Sequence, residues 1–276
     1  MSRQHGTKEF WLAGLRAEGT AFRAAVRAAD VLDAQVPSCP EWTVADLVRH
    51  LGGAYAWWCS HISRGVTTPP TVTRPPAGTT PPAGVTPAGP TVPATATVPG
   101  NDDGAGLLDW WDARYAETLA VLDALDPDIP AWNWAPRAKK GQFWHRRAVH
   151  ETAVHRWDAQ VAAGLPEPIE AKLAADGVAE VLDTWLAAGR RRNPSSRPGV
   201  VALNASDVDQ VWYVRLRGEG VALLDTDTLL DDDDHHERAT AIGTASDLML
   251  ALYGRVPFDV LQVSGDAGLL EGLRTG

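Results

Sequence analysis

The sequence predicts an α+β protein, a four-helix bundle followed by a smaller α+β domain. Two observations carry this reading. Before residue 165, apolar residues recur at helical spacing in segments parted by loops, one of them long. Beyond that point the texture changes to short β-branched runs with glycine turns, interleaved with helical stretches. The boundary is placed so that residues 1–167 form the bundle and residues 168–276 the second domain.

Residues 8–29 read as the first helix, with Phe10, Leu12, Leu15, Phe22 and Val26 broadly on one stripe. Pro37 and Pro40 keep the chain before residue 42 out of a helix. Thr43 with Asp46 three residues on has the form of a capping box, and Val44, Leu47, Val48, Leu51 and Tyr55 then mark a second helix over 43–64. Residues 66–100 hold ten of the chain's twenty prolines among Thr, Ala and Gly, so this stretch is expected to be a polyproline-like surface loop. Leu107, Leu108, Trp111, Tyr115, Leu119 and Leu122 mark a third helix over 104–125. A fourth, over 143–163, ends at Gly164 with Pro166 beyond it. Four helices with one long crossover loop read as a bundle.

In the second domain a helix is expected over 170–189 and strands at 200–203, 211–216 and 221–224, with Gly218 and Gly220 in a hairpin turn. A strand at 239–242, a helix at 244–253, a strand at 260–263 and a last short helix complete it.

Composition narrows the function. Lys and Arg number 25 against 35 Asp and Glu, a net charge of −10, which argues against nucleic acid or an anionic membrane as partner. No segment approaches the roughly 18 apolar residues of a membrane span, the N-terminus has no apolar signal core, and two cysteines make no disulfide framework. These features point to the cytoplasm. The twelve tryptophans are expected to line a core or a cleft.

The fourth helix carries "HETAVH", one residue too long for the H-E-x-x-H of a zinc protease. At about 100° per residue, His150 and His155 lie about 140° apart and cannot easily share an ion. Glu151 and His155 are four residues apart and lie on one face. Bundle metal sites use such pairs and take a further ligand from a facing helix, for which His50 in "DLVRHLGG" is the candidate. His50, Glu151 and His155 would form a His₂Glu set, the ligand type of a catalytic zinc site with an open position. The alternative reading of the same residues is a buried histidine bonded to backbone beside a Glu–His helix pair.

Asp158 is either an acceptor for the ring N–H of His155 or a helix surface charge. Arg146, Arg147 and Arg156 can pair with a substrate carboxylate, though most are expected on a solvated face. Cys39 has no evident base beside it and Cys59 reads as core. "DTDTLLDDDDHHER" puts Leu229 and Leu230 where a calcium loop needs a ligand and a glycine, so it reads as a solvated loop.

Three stretches, "VPSCPEWTVADLVRHLGG", "WHRRAVHETAVHRWDAQ" and "ASDLMLALYGR", resemble the landmarks of the mycothiol-dependent maleylpyruvate isomerase family. The resemblance spans nearly the whole chain. It implies a DinB-like metal-binding four-helix bundle and a C-terminal domain related in shape to sterol carrier proteins. It implies zinc, or another divalent metal, on His50, Glu151 and His155, with mycothiol as thiol cosubstrate. By position in "LYGR" it implies Arg255 as a catalytic residue near the thiol or substrate. The proline-rich stretch and the acidic run 231–234 depart from the family pattern.

The expected activity is thiolate addition to an electron-poor double bond. Rotation and expulsion of the thiol give cis–trans isomerisation, and retention of the adduct gives S-transfer. The substrate class is a small electrophile or dicarboxylate. The alternative is a non-catalytic small-molecule or lipid-binding protein with a structural metal.

Overall fold

The structure is a computed structural model that describes residues 6–27, 31–70, 104–190, 197–218, 220–224 and 238–275. It is an α+β protein whose N-terminal part is helical, and the chain divides into two compact units, Gly6–Glu167 and Pro168–Gly276. Most of the proline-rich stretch and the whole acidic run 231–234 lie outside the described residues.

The first unit is built on α1 (Lys8–Ala25), α2 (Val44–Ile62), α3 (Gly104–Ala124) and α4 (Gln142–Ala162). Helix α1 begins where Thr7 accepts from the Phe10 amide, and α2 begins in a complete capping box between Thr43 and Asp46. Helix α1 packs chiefly on α4 and α2 on α3, with α2 also meeting α4. The seam is filled by fully buried Trp11, Leu15, Phe22, Leu47, Leu51, Tyr55, Leu107, Trp111, Leu122 and Trp144. Each such leucine contributes about 1.5–3 kcal/mol by leaving water. Five of the twelve tryptophans, Trp11, Trp58, Trp111, Trp144 and Trp212, are buried core residues and the other seven are partly exposed; Trp111 stacks on Tyr115 at 5.0 Å and meets Phe22 at 4.9 Å.

Helix α4 is buried on nearly every side, which explains its weak apolar periodicity. This corrects the expectation of solvated arginines. Arg146, Arg147 and Arg156 are all buried, and Arg156 pairs with buried Glu18 of α1 at 2.6 Å. The segment before α2, which Pro37 and Pro40 keep out of a helix, has regular structure of its own. It forms a small hairpin of β1 (Gln35–Val36) and β2 (Cys39–Thr43), pinned by fully buried Val36.

The second unit holds a five-stranded sheet in the order β5-β4-β3-β6-β7. The strands are β3 (Gly199–Ala205), β4 (Gln210–Arg217), β5 (Gly220–Leu224), β6 (Arg238–Gly243) and β7 (Gln262–Gly265). Among the described strands of this sheet the β3–β6 pair is parallel, and the β3–β4, β4–β5 and β6–β7 pairs are antiparallel. Trp212, Val214 and Leu216 alternate inward along β4, the period-2 pattern of a sheet with one covered face. Gly218, with φ of +60°, supplies the left-handed residue of the β4–β5 turn.

Helices α5 (Ala171–Glu180) and α6 (Ala245–Leu252) pack on each other, and α7 (Gly268–Glu271) closes the unit. The helix expected over 170–189 loses α geometry at Val181–Trp185, where a π-turn sends the Leu186 amide to the Val181 carbonyl at 2.9 Å. The last strand begins two residues later than expected. Phe258–Val260 form a 3₁₀ turn that buries Phe258 and exposes Val260.

Candidate metal centre

The site lies in the first unit, where α2, α4 and the β1–β2 hairpin meet. Helix α2 presents His50 because Val44, Leu47 and Leu51 bury the neighbouring face. The register between α2 and α4 is fixed by the Tyr55 hydroxyl, 2.7 Å from the Thr152 hydroxyl, which in turn donates to the Ala148 carbonyl. Burial pushes the Tyr55 phenol well above its ordinary value, so this link stays neutral. Gly52, two residues after His50, serves a different neighbour than the site: a Cβ there would strike the Trp110 ring of α3.

His50, Glu151 and His155 come together, one ligand atom from each lying within 4.8 Å of the others. His50 Nε2 is 3.3 Å from Glu151 Oε1, and His155 Nε2 is 3.4 Å from the same oxygen. The two rings meet edge to face at 4.9 Å, and Trp42 of β2 lies against His50 at 4.8 Å. His50 and Glu151 remain partly exposed, with side-chain accessibilities of 26% and 19%, while His155 is at 7%. The cluster is thus open on one side.

Two further contacts shape it. Arg147, one turn before Glu151, donates to Glu151 Oε2 at 2.7 Å, which leaves Oε1 for the histidines. His155 Nδ1 lies 2.9 Å from Asp158 Oδ2, and the Ser38 hydroxyl donates to Asp158 Oδ1 at 2.6 Å. Asp158 is fully buried, an acceptor inside the protein and no surface charge.

Burial opposes ionisation of Glu151, but Arg147 and the hydrogen bonds from His155 and His50 outweigh it and hold the carboxyl well below its usual range. For His155, burial disfavours the charged ring, yet Asp158 and Glu151 together raise its pKa.

The donor set fits a small divalent cation. A carboxylate only accepts, so His155 gives its Nδ1–H to Asp158, and Nε2 then meets Glu151 Oε1 either as a protonated donor or, in the neutral ring, with its lone pair. Two acceptors facing each other require a cation between them, either a proton or a metal. Tetrahedral zinc with bonds of about 2.0–2.1 Å spaces its ligand atoms about 3.4 Å apart, which matches the two separations at Oε1.

Other candidates stand elsewhere. His150 is fully buried and outside the cluster. Cys59 is buried against the Thr118 hydroxyl, and burial pushes its thiol pKa up, so it is no nucleophile. Cys39 is part-exposed on the hairpin. Arg255 belongs to the other unit, following α6, and donates to the Tyr253 carbonyl at 2.9 Å. Sequence reasoning misses Ser38 and Trp42, whose roles depend on a hairpin it does not foresee. The pairing of Arg147 with Glu151 was readable as an i,i+4 couple.

No curated protein matches the chain. Among solved structures, a mycothiol-dependent maleylpyruvate isomerase and a histidine-to-alanine mutant of that enzyme share the fold. Each gives a TM-score of 0.58 at 13% identity, covering 96% of both chains. The mycothiol maleylpyruvate isomerase N-terminal domain family matches residues 12–160, and the corresponding C-terminal domain family matches residues 172–272. With both halves matched in order, the chain belongs to the mycothiol-dependent maleylpyruvate isomerase family of enzymes.

Proposed function

We propose that this protein is a zinc-dependent enzyme that uses mycothiol as thiol cosubstrate, isomerising a small unsaturated dicarboxylate of the maleylpyruvate type. One observation carries the metal: two imidazole nitrogens converge on one carboxylate oxygen at zinc-like separations, in a cluster left open on one side. A structural zinc would close its coordination with protein side chains, whereas a partly exposed three-residue set leaves a place for a small molecule. Family membership supports mycothiol as the thiol.

His50, Glu151 and His155 would hold the ion. Bound there, zinc lowers the pKa of a thiol as it does that of water and makes the thiolate available at neutral pH. The chain's residues do the rest. Arg147 holds Glu151 ionised and presents a single oxygen. Asp158 accepts from His155 Nδ1. Trp42 covers one side of His50. Arg255 is the proposed partner for a substrate carboxylate, since a guanidinium matches a carboxylate in a two-pronged fashion. Its place in the "LYGR" stretch supports that role.

The test combines metal analysis with an assay. The purified protein is expected to hold near-stoichiometric zinc, lost in His50→Ala and His155→Ala but kept in His150→Ala. Zinc-loaded protein with mycothiol is expected to turn over maleylpyruvate. Conjugation of a generic electrophile without isomerisation would make it an S-transferase. Zinc without turnover of either would overturn the enzymatic reading in favour of a binding protein.

A further inference from the structure

The β1–β2 hairpin touches both histidines of the cluster by different routes. Trp42 of β2 packs its ring on His50. Ser38, in the turn between the strands, donates to Asp158 Oδ1, and Asp158 Oδ2 receives the Nδ1–H of His155. The hairpin itself is anchored independently of the site. Val36 is fully buried, and the backbone just before β1 accepts the first two amides of α2, Val44 to Ala34 and Ala45 to Leu32, each at 2.9 Å. A support fixed to the start of α2 thus reaches over to a side chain of α4.

From this geometry we infer that Asp158 is a positioning residue, held by Ser38, that sets the tautomer and ring angle of His155. The inference rests on the proposed metal site. A free imidazole distributes its proton between both nitrogens and turns about its side-chain bonds. A neutral ring whose Nδ1–H is fixed to a buried carboxylate has its lone pair on Nε2, aimed at Glu151 Oε1. The carboxylate must itself be fixed to do this, and Asp158 has one oxygen on Ser38 and the other on His155. The serine hydroxyl can donate to a carboxylate whose other oxygen is engaged, which an apolar residue at position 38 cannot do. Loss of such an outer support typically costs about 10–100-fold in metal affinity.

Asp158→Ala is expected to raise the zinc dissociation constant by about 10–100-fold, read by competition with a chromophoric chelator. In the zinc-loaded wild type, the His155 Nδ1–H should give a slowly exchanging imidazole proton resonance, and this should vanish in Asp158→Ala. That signal and the d–d spectrum of the cobalt-substituted protein report the ligand environment directly, and a general loss of stability would not move them alone. Ser38→Ala should weaken zinc binding by several-fold, and Ser38→Thr, which keeps the hydroxyl, should restore it. Should Asp158→Ala not fold, the Ser38 pair decides the matter.

Wild-type zinc affinity with the Nδ1–H signal retained in Asp158→Ala, or in Ser38→Ala if only that variant folds, overturns the assignment. Absence of zinc from the wild type is a separate result, and it would sink the metal site itself.

Discussion

Arg147 and Glu151 are joined across one turn of α4, the guanidinium on Oε2 and both histidines on Oε1. The two oxygens of one carboxylate therefore have different tasks. Arg147 is buried, and an unpaired Glu151 in its place would have to shed its charge or draw in water. Arg147→Met is expected to weaken zinc binding about 10-fold or more, since the carboxylate loses both its fixed orientation and a reason to stay ionised. A chelator competition titration reads this, and wild-type affinity in the variant would contradict it.

Arg156 and Glu18 form a second buried pair, linking α4 to α1 with side-chain accessibilities of 3% and 8%. Arg156 also donates to the Gln160 side chain and to the Glu167 carbonyl, so the charge is well enclosed by acceptors. Removing one partner leaves the other's charge uncompensated. Glu18→Ala is expected to cost about 3–5 kcal/mol in urea unfolding, with metal content after refolding unchanged. Replacing both by apolar residues of similar size should cost much less, and equal losses in the single and double variants would refute the pairing argument.

Much of this was legible in the chain because the informative signals are local. Helix α2 is announced by Thr43 and Asp46, and the Glu151/His155 pair follows from helical geometry alone. The burial of Arg156 and the support that Asp158 draws from Ser38 were not legible. A charged residue reads as solvated until its partner is known, and those partners lie 138 residues away for Arg156 and 120 for Asp158. The π-turn after α5 leaves no mark either, since Val181, Leu182 and Trp185 continue the apolar helical spacing of α5. The β1–β2 hairpin is too short for an alternating signature, so Ser38 stayed invisible. Arg255 was reached only through resemblance to the family.

His61, near the end of α2, makes a pH-dependent contribution to stability. Its ring lies on Trp57 at 3.9 Å and near Trp132 at 5.3 Å, and its Nε2 has no hydrogen-bond partner among the described residues. Burial, with help from Arg64, lowers its pKa from 6.5 to about 4. The unfolded chain therefore takes up this proton at a higher pH than the folded one. Stability from this residue is complete above about pH 6.5 and is lost as the pH falls toward 4, at up to about 1.4 kcal/mol per pH unit. Chemical denaturation at pH 4.5 and 7 should show a smaller difference for His61→Phe than for the wild type. An equal difference would mean that His61 is charged in the native state.

Gly19 of α1 lies where Tyr115 of α3 crosses, and a Cβ there would collide with the tyrosine ring. Replacing a helical glycine by alanine normally gains up to about 1 kcal/mol, so two effects compete. Tyr115 cannot easily retreat. Its ring is stacked on Trp111, and its hydroxyl donates to the Leu15 carbonyl at 3.0 Å. Overpacking against a pinned ring costs about 1–3 kcal/mol, which exceeds the helical gain. Gly19→Ala is therefore expected to lower the melting temperature. In a Tyr115→Leu background, where the obstructing ring is gone, the same substitution should raise it. A stabilising Gly19→Ala in the wild-type background would show that α1 and α3 can separate there at little cost.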